Sequence, residues 1–430
     1  MRWLLGTWLP LLMVLSTLIA SDPTLHAAPV VQSAIAEEEF TVTLGDGWVS
    51  RGKLTYPAGQ AGPFPTVLLV PNPDADMDFL APPVIVDPIY KDLAEYLTAR
   101  GIAVARYNPR YVTGPGEFAN LEKLFSVLPP DMLADADAVL ATVMTNPRVD
   151  RGRSFVFGWS TSSLAAAALA ARHPELAGLA LVGPITTTDR QYFIEDYTEV
   201  VLPYLITFAP DGRITPAVLQ AALDGDGGSF AIGLTYAFTD PEVTDSIAVN
   251  PFFDKDGDGI LDVGTEILPN LGAWVEQDPI IELLRTLPNV YDQAPNLRPA
   301  VLVLQGENDA ATRARNTLGL REAFAGHPDF TLKLYPGLGH SLASVRSLIY
   351  DRPTFYSEQP KADLAAWVLV RSTPPAIPAP SAAPLLPAML PNTGAAGLDL
   401  AWLTGAALAL LLAGALVRRG RRPARGANKG

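Results

Sequence analysis

Apolar residues in the middle of the chain fall into short continuous runs, "TVLLVP", "IAVARYN", "SFVFGW", "LAGLALVGP", "AVLVLQG" and "FTLKLYP". Most are separated by amphipathic stretches such as "YKDLAEYLTARG" and "DMLADADAVLATVMTN". A strand that is apolar at every position is buried on both faces, so its alternation with helices predicts a mostly parallel sheet covered on both sides, a three-layer α/β domain. Ahead of it, "EFTVTLGDGWVSRGKLTYP" alternates on either side of Gly-Asp-Gly and predicts a leading β-hairpin. One connection breaks the rhythm: about 115 residues lie between the strand ending near Val182 and the one starting near Ala300, far beyond an ordinary αβ loop. Residues 185–298 therefore read as an inserted, mainly helical subdomain, with "YTEVVLPYLITF", "TPAVLQAAL" and "DPIIELLRTL" as helices. Open α/β sheets bind ligands beyond the carboxyl ends of their strands, where such an insertion would form a lid. The core is expected in two parts, 38–184 and 299–372.

Both ends of the chain carry different patterns. Residues 1–28, "MRWLLGTWLPLLMVLSTLIASDPTLHAA", place one Arg before a long apolar run and small residues after it, as a secretory signal peptide does, with cleavage after Ala20 or near Ala28. A retained N-terminal membrane anchor is the alternative. Residues 373–391 hold seven prolines, which favour extended polyproline II and read as a semi-rigid spacer. From 390 onward come "LPNTG", an apolar span at 398–417 long enough to cross a bilayer, and a basic tail suited to its cytoplasmic side. That order resembles the cell-wall sorting signal of Gram-positive-type surface proteins. The resemblance implies a sortase that cuts between Thr393 and Gly394 and joins Thr393 to the cell envelope, the membrane helix serving before processing. A plain C-terminal membrane anchor is the alternative, and it too leaves the globular part outside.

Composition narrows the class of partner. With 430 residues, 49% hydrophobic and 18% charged, the chain can bury a core of full domain size. A formal net charge of −14 argues against nucleic acid, since the one dense basic run, "RRGRRPAR", lies at the C-terminus. The absence of cysteine excludes a disulfide framework, a thiolate metal site and a cysteine nucleophile.

The stretch "FVFGWSTSS" runs a buried strand into a tight turn tipped by Ser160. It approaches G-x-S-x-G, the pattern that sets a reactive serine on a strained strand-to-helix turn, with Gly158 present and Ser162 in place of the second glycine. Of four histidines, His26 lies in the signal region, His173 ends the helix after Ser160, and His327 precedes a proline on a loop. His340, in "LYPGLGHSL", instead follows the last strand in a glycine-containing loop, and Asp309 in "VLVLQGENDAATRA" ends the strand before it. The order Ser, Asp, His and the strand pattern resemble the α/β-hydrolase superfamily of esterases, dienelactone hydrolases and prolyl-oligopeptidase-like enzymes, over 50–372 apart from the lid. The resemblance implies Ser160 as nucleophile, His340 as general base and Asp309 as the acid that orients the imidazole, with Asp189 in reserve. The segment "LAEYLTARGIAVARYNPR" resembles peptidase- and esterase-like members, which carry Asp where Asn108 stands. For the oxyanion hole it implies the Thr161 N–H and a donor from the loop after the first parallel strand. Relatives have a His-Gly pair there; "LLVPNPDADMDF" has Pro71 and Pro73, which lack an N–H, and so points to Asn72.

Within the insertion, "DKDGDGILDVGTE" places Asp254, Asp256, Asp258, the Ile260 carbonyl and Asp262 at positions 1, 3, 5, 7 and 9 of an EF-hand-type calcium loop spanning 254–266, with Gly259 at the sharp turn. Position 12 is Thr265; Glu266, one residue late, serves as the bidentate ligand if the loop bulges. "FAPDGRITPAVL" upstream reads as a partner loop without ligands, and a solvated acidic turn is the alternative for the whole stretch. The sequence thus predicts a secreted, surface-anchored α/β-hydrolase with a structural Ca²⁺ in its lid and no cofactor for catalysis. It would cleave an ester or peptide bond of a small-molecule or peptide acyl substrate through an acyl-enzyme. A catalytically silent hydrolase fold used for surface binding or adhesion is the rival reading.

Overall fold

The computed structural model describes residues 34–82, 85–243, 245–277 and 279–372. The expected signal peptide, proline-rich spacer, Thr393, Gly394 and the span at 398–417 lie outside the described residues. Among the described residues no helix is long and apolar enough to cross a membrane.

Eight strands form one sheet: β1 (Ile35–Thr43), β2 (Val49–Pro57), β3 (Phe64–Val70), β4 (Ala103–Tyr107), β5 (Val149–Trp159), β6 (Gly178–Val182), β7 (Ala300–Gly306) and β8 (Phe330–Tyr335). Their order across the sheet is β1-β2-β4-β3-β5-β6-β7-β8. β1 and β2 are the antiparallel hairpin expected from the alternating stretch, β2 meets β4 antiparallel, and every later pairing is parallel. The burial of each strand follows its composition. β3, β4 and β6 are buried along their whole length, as continuous apolar strands covered on two faces must be, whereas β1 at the edge is mostly exposed.

Four helices cover the sheet: α1 (Ile89–Thr98), α2 (Pro129–Val143), α3 (Ser162–Arg172) and α4 (Glu358–Arg371). α2 starts on Pro129, with the Asp131 carboxylate accepting the Leu128 N–H at 3.0 Å, and turns Met132, Leu133, Ala136, Val139, Leu140 and Val143 inward at helical spacing. α3 is alanine-rich and buried from Ser162 to Ala170, so it lies close to β5. These two share one hydrophobic cluster with one side of the sheet, and α1 and α4 share the other. Two apolar faces sealed by helices make the three layers.

The insertion between β6 and β7 has its own core, in which Val200, Leu205, Ile214, Leu219, Phe238, Phe253, Leu261 and Leu271 are buried together. Its helices include Arg190–Asp196, Leu202–Ile206, Pro216–Leu223, Ser229–Thr235 and Leu268–Glu276. A two-residue ribbon adds to them: Arg213–Ile214 pairs antiparallel with Leu261–Asp262, joining the acidic loop to the upstream "DGRI" loop.

Candidate active site

β5 ends at Trp159, and the chain reverses at Ser160 with φ +58°, a left-handed backbone that a non-glycine residue adopts at a cost of roughly 1–2 kcal/mol. Two neighbours make the turn possible. A Cβ on Gly158 would lie 2.7 Å from the Ala166 methyl and 2.9 Å from the Ser162 carbonyl, so only glycine lets α3 pass this close to the strand. Ser162, where the pattern has its second glycine, accepts the Trp159 N–H and donates to the Trp159 carbonyl, both at 2.9 Å. Its hydroxyl pins the turn from inside, and the departure from G-x-S-x-G is thereby accommodated.

Asp309 and His340 lie at the same edge of the sheet, beyond β7 and β8. His340 Nδ1 faces both Asp309 oxygens, at 3.0 and 2.9 Å. Asp309 is fully buried, and its remaining lone pairs accept from the Gln305 amide at 2.9 Å, the Ala311 N–H at 2.9 Å, and the Thr312 N–H and hydroxyl at 2.7 Å each. Burial pushes the Asp309 carboxyl up, but the His340 charge and these hydrogen bonds outweigh it and hold the acid below its usual range. Burial likewise pushes the imidazole down; the Asp309 carboxylate outweighs that and keeps His340 more basic than an ordinary histidine. An orienting carboxylate on Nδ1 leaves Nε2 as the basic nitrogen.

Three glycines allow this crowding. A Cβ on Gly183, just past β6, would sit 2.8 Å from Asp309 Oδ2 and from His340 Nδ1. One on Gly306 would run into the carbonyls of Leu338 and Gly339, so the loops that carry Asp309 and His340 could not abut. One on Gly339 would run into the carboxyl of Asp351. The serine turn reaches the histidine through Trp159, whose indole N–H donates to the His340 carbonyl at 2.9 Å while the two rings lie 5.5 Å apart. Ser160 Oγ makes no hydrogen bond among the described residues; such contacts commonly tighten only when substrate binds. Asp189, the reserve acid, is exposed at the start of helix Arg190–Asp196, apart from this cluster.

Asn72 stands at the serine turn. Its side-chain oxygen accepts the Ser162 N–H at 3.0 Å, which ties the loop after β3 to the start of α3. The backbone N–H groups of Asn72 and Thr161 have no acceptor among the described residues and remain available to a ligand. Asn108 is buried at the end of β4, where its side chain accepts the Met77 N–H at 2.8 Å and steadies the far side of the same loop.

In the insertion, carboxylate oxygens of Asp254, Asp256 and Glu266 lie within 4.8 Å of one another. A π-type turn over Val263–Ile267 absorbs the extra residue and delivers Glu266, whose oxygens accept the Lys255 and Asp262 N–H groups at 2.8 Å. Asp258 lines the same cleft, with Ile260 and Asp262, and faces Arg213 at 3.6 Å. Asp262 caps the turn, accepting from the N–H groups of Gly264 and Thr265. Sequence reasoning did not single out Gln305, Thr312, Gly183, Gly306 or Asp351; the glycines after strands were the readable trace of the crowding.

The strand order, the mostly parallel sheet and the turn at the end of β5 are those of an α/β-hydrolase, and the protein is a serine hydrolase. Residues 88–344 match the family described as serine aminopeptidase, S33, and the chain belongs to that family. No curated protein sequence matches it. Among solved structures it is similar to an esterase of Pyrococcus furiosus (11% identity, 78% of this chain and 91% of that one, TM-score 0.45). It is also similar to Est1E of Butyrivibrio proteoclasticus (13%, 77% and 98%, TM-score 0.43). A third is the α/β hydrolase GrgF of a Penicillium species (16%, 71% and 91%, TM-score 0.41).

Proposed function

We propose that the protein cleaves a carboxylic ester outside the cell, with Ser160 as nucleophile, His340 as its base and Asp309 as the acid that orients the base. The observation that carries the reading is the left-handed Ser160 at the end of β5, beside a buried Asp309–His340 pair. His340 takes the Ser160 proton as Oγ attacks the carbonyl. The oxyanion is received by the Thr161 and Asn72 N–H groups, the leaving alcohol takes the proton back, and water then releases the acid by the same steps. A peptide bond is the second reading, favoured by the aminopeptidase description of the family. Hydrolysis of p-nitrophenyl acyl esters compared with aminoacyl p-nitroanilides separates the two, and turnover of anilides alone would overturn the ester reading.

The insertion serves as the lid, and its acidic loop binds one Ca²⁺ that orders it. Asp254, Asp256 and Glu266 would hold the ion, with Asp258 beside them; a hard oxygen donor set of this kind suits calcium. The globular part reaches the cell surface through the N-terminal leader and stays there through Thr393, joined to the envelope by a sortase.

A further inference from the structure

Behind the His340–Asp309 pair lies a second carboxylate that the hydrolytic steps do not use. Asp351 is 3% exposed. Its Oδ2 accepts two backbone N–H groups, that of Ala310, which follows the acid, and that of His340 itself, each at 2.8 Å. One oxygen therefore joins the loop after β7 to the loop after β8 at the points where acid and base leave the main chain. Its Oδ1 is buried with no hydrogen-bond partner. The main chain around Asp351 holds the insertion as well. The Asp351 carbonyl accepts the Ser229 N–H at 3.0 Å, the Ile349 carbonyl accepts the Gly228 N–H at 2.7 Å, and Arg352 Nε donates to the Gly227 carbonyl at 2.7 Å.

We infer that Asp351 is a positioning residue of the hydrolytic site: its carboxylate clamps the acid loop to the base loop and places a second negative charge behind the imidazolium. The inference rests on the Ser160, His340, Asp309 reading. Two titratable groups act on this position from the two loops it joins: Asp309 beyond β7 and His340 beyond β8. Burial and the Asp309 charge raise Asp351 to about 6, and the His340 charge pulls the other way. Asp351 in turn raises His340, and Arg313 opposes it. When Ser160 surrenders its proton the imidazole becomes cationic, so a charge behind it favours that state. A proton arriving on Asp351 would go to the unpartnered Oδ1, and Oδ2 would keep both backbone bonds. The clamp then survives protonation and the charge does not.

Asp351→Asn tests this, because the amide oxygen can accept both N–H groups while the charge is gone. The expected result is an acidic limb of kcat/KM displaced to lower pH, since His340 without the second carboxylate stays neutral further into acid. The kcat is expected to fall about tenfold, and about a hundredfold in Asp351→Ala, with KM little changed. The same preparations are treated with a fluorophosphonate. Absence of label on Ser160 in the parent protein would fail the triad reading, whereas a labelled parent with an unmoved Asp351→Asn profile overturns the role of Asp351 alone. Should the variants not fold, the parent protein still decides. With ¹⁵N-alanine labelling, the Ala310 amide, bonded to Asp351, is expected to shift with a midpoint of about 6. An Ala310 amide that exchanges as fast as a free loop amide, the sign of a broken bond to Asp351, overturns the inference.

Discussion

Ser160 holds a backbone conformation that costs free energy and that its neighbours impose: Gly158 on one side, the doubly bonded Ser162 hydroxyl on the other. Ser160→Ala is therefore expected to abolish ester hydrolysis while leaving thermal stability within a few degrees of the parent, read by melting and by turnover. Asp309→Asn removes the charge that fixes the His340 tautomer, and a loss on the order of 10⁴ in kcat is expected. Asp351 gives a stability prediction with a defined sign. Its folded value of about 6 lies above the ordinary carboxylate value, so its protonated form favours folding below pH 4, and that contribution is lost as pH rises through 6. Asn does not titrate; relative to the parent, Asp351→Asn should gain on the order of 1–3 kcal/mol between pH 4 and pH 7.5, measured by chemical unfolding at both. A difference independent of pH contradicts this. Ser160, Asp309 and His340 stood out in the sequence as candidates because a turn motif and strand-end positions mark them, and the structure sets Asp309 against His340. Asp351 was not legible, since its partners Ala310 and His340 are set by tertiary packing and no spacing announces them.

The strands were legible from their apolar runs, because unbroken Val, Leu and Phe runs have few places to go except the middle of a covered sheet, although β5 begins at Val149, ahead of its run at Ser154. The insertion was legible as an over-long connection with helical stretches, but not its ribbon at 213–214 and 261–262 or the π-type turn that carries Glu266 into the acidic cluster. Two-residue ribbons lie below any periodicity signal, and a one-residue bulge is fixed by packing. The acidic loop makes a prediction of its own. Calcium that binds the folded form alone adds about 2.7 kcal/mol at a hundredfold excess over Kd, so the melting temperature should climb with free calcium. In the Asp254→Ala, Asp256→Ala double variant it should not. A parent protein indifferent to calcium contradicts the metal assignment.

On the scale of the whole molecule, the proposed surface location rests on an N-terminal leader pattern and an LPNTG segment, both outside the described residues. Thr393→Ala is expected to shift the protein from the covalently bound envelope fraction to one that detergent extracts; an unchanged envelope fraction contradicts sortase attachment. The loops after β7 and β8 are both bonded to the insertion, the first through Arg313 to Asp196 and the second through the turn at Asp351 to Ser229, so the insertion and these loops are expected to move as one unit. The proposed hydrolysis depends on one covalent event, and its most direct measurement is to treat the folded protein with a fluorophosphonate and map the adduct by mass spectrometry. The account predicts a single adduct on Ser160, lost when His340 is replaced by alanine. Labelling at another serine, or equal labelling without His340, would contradict it.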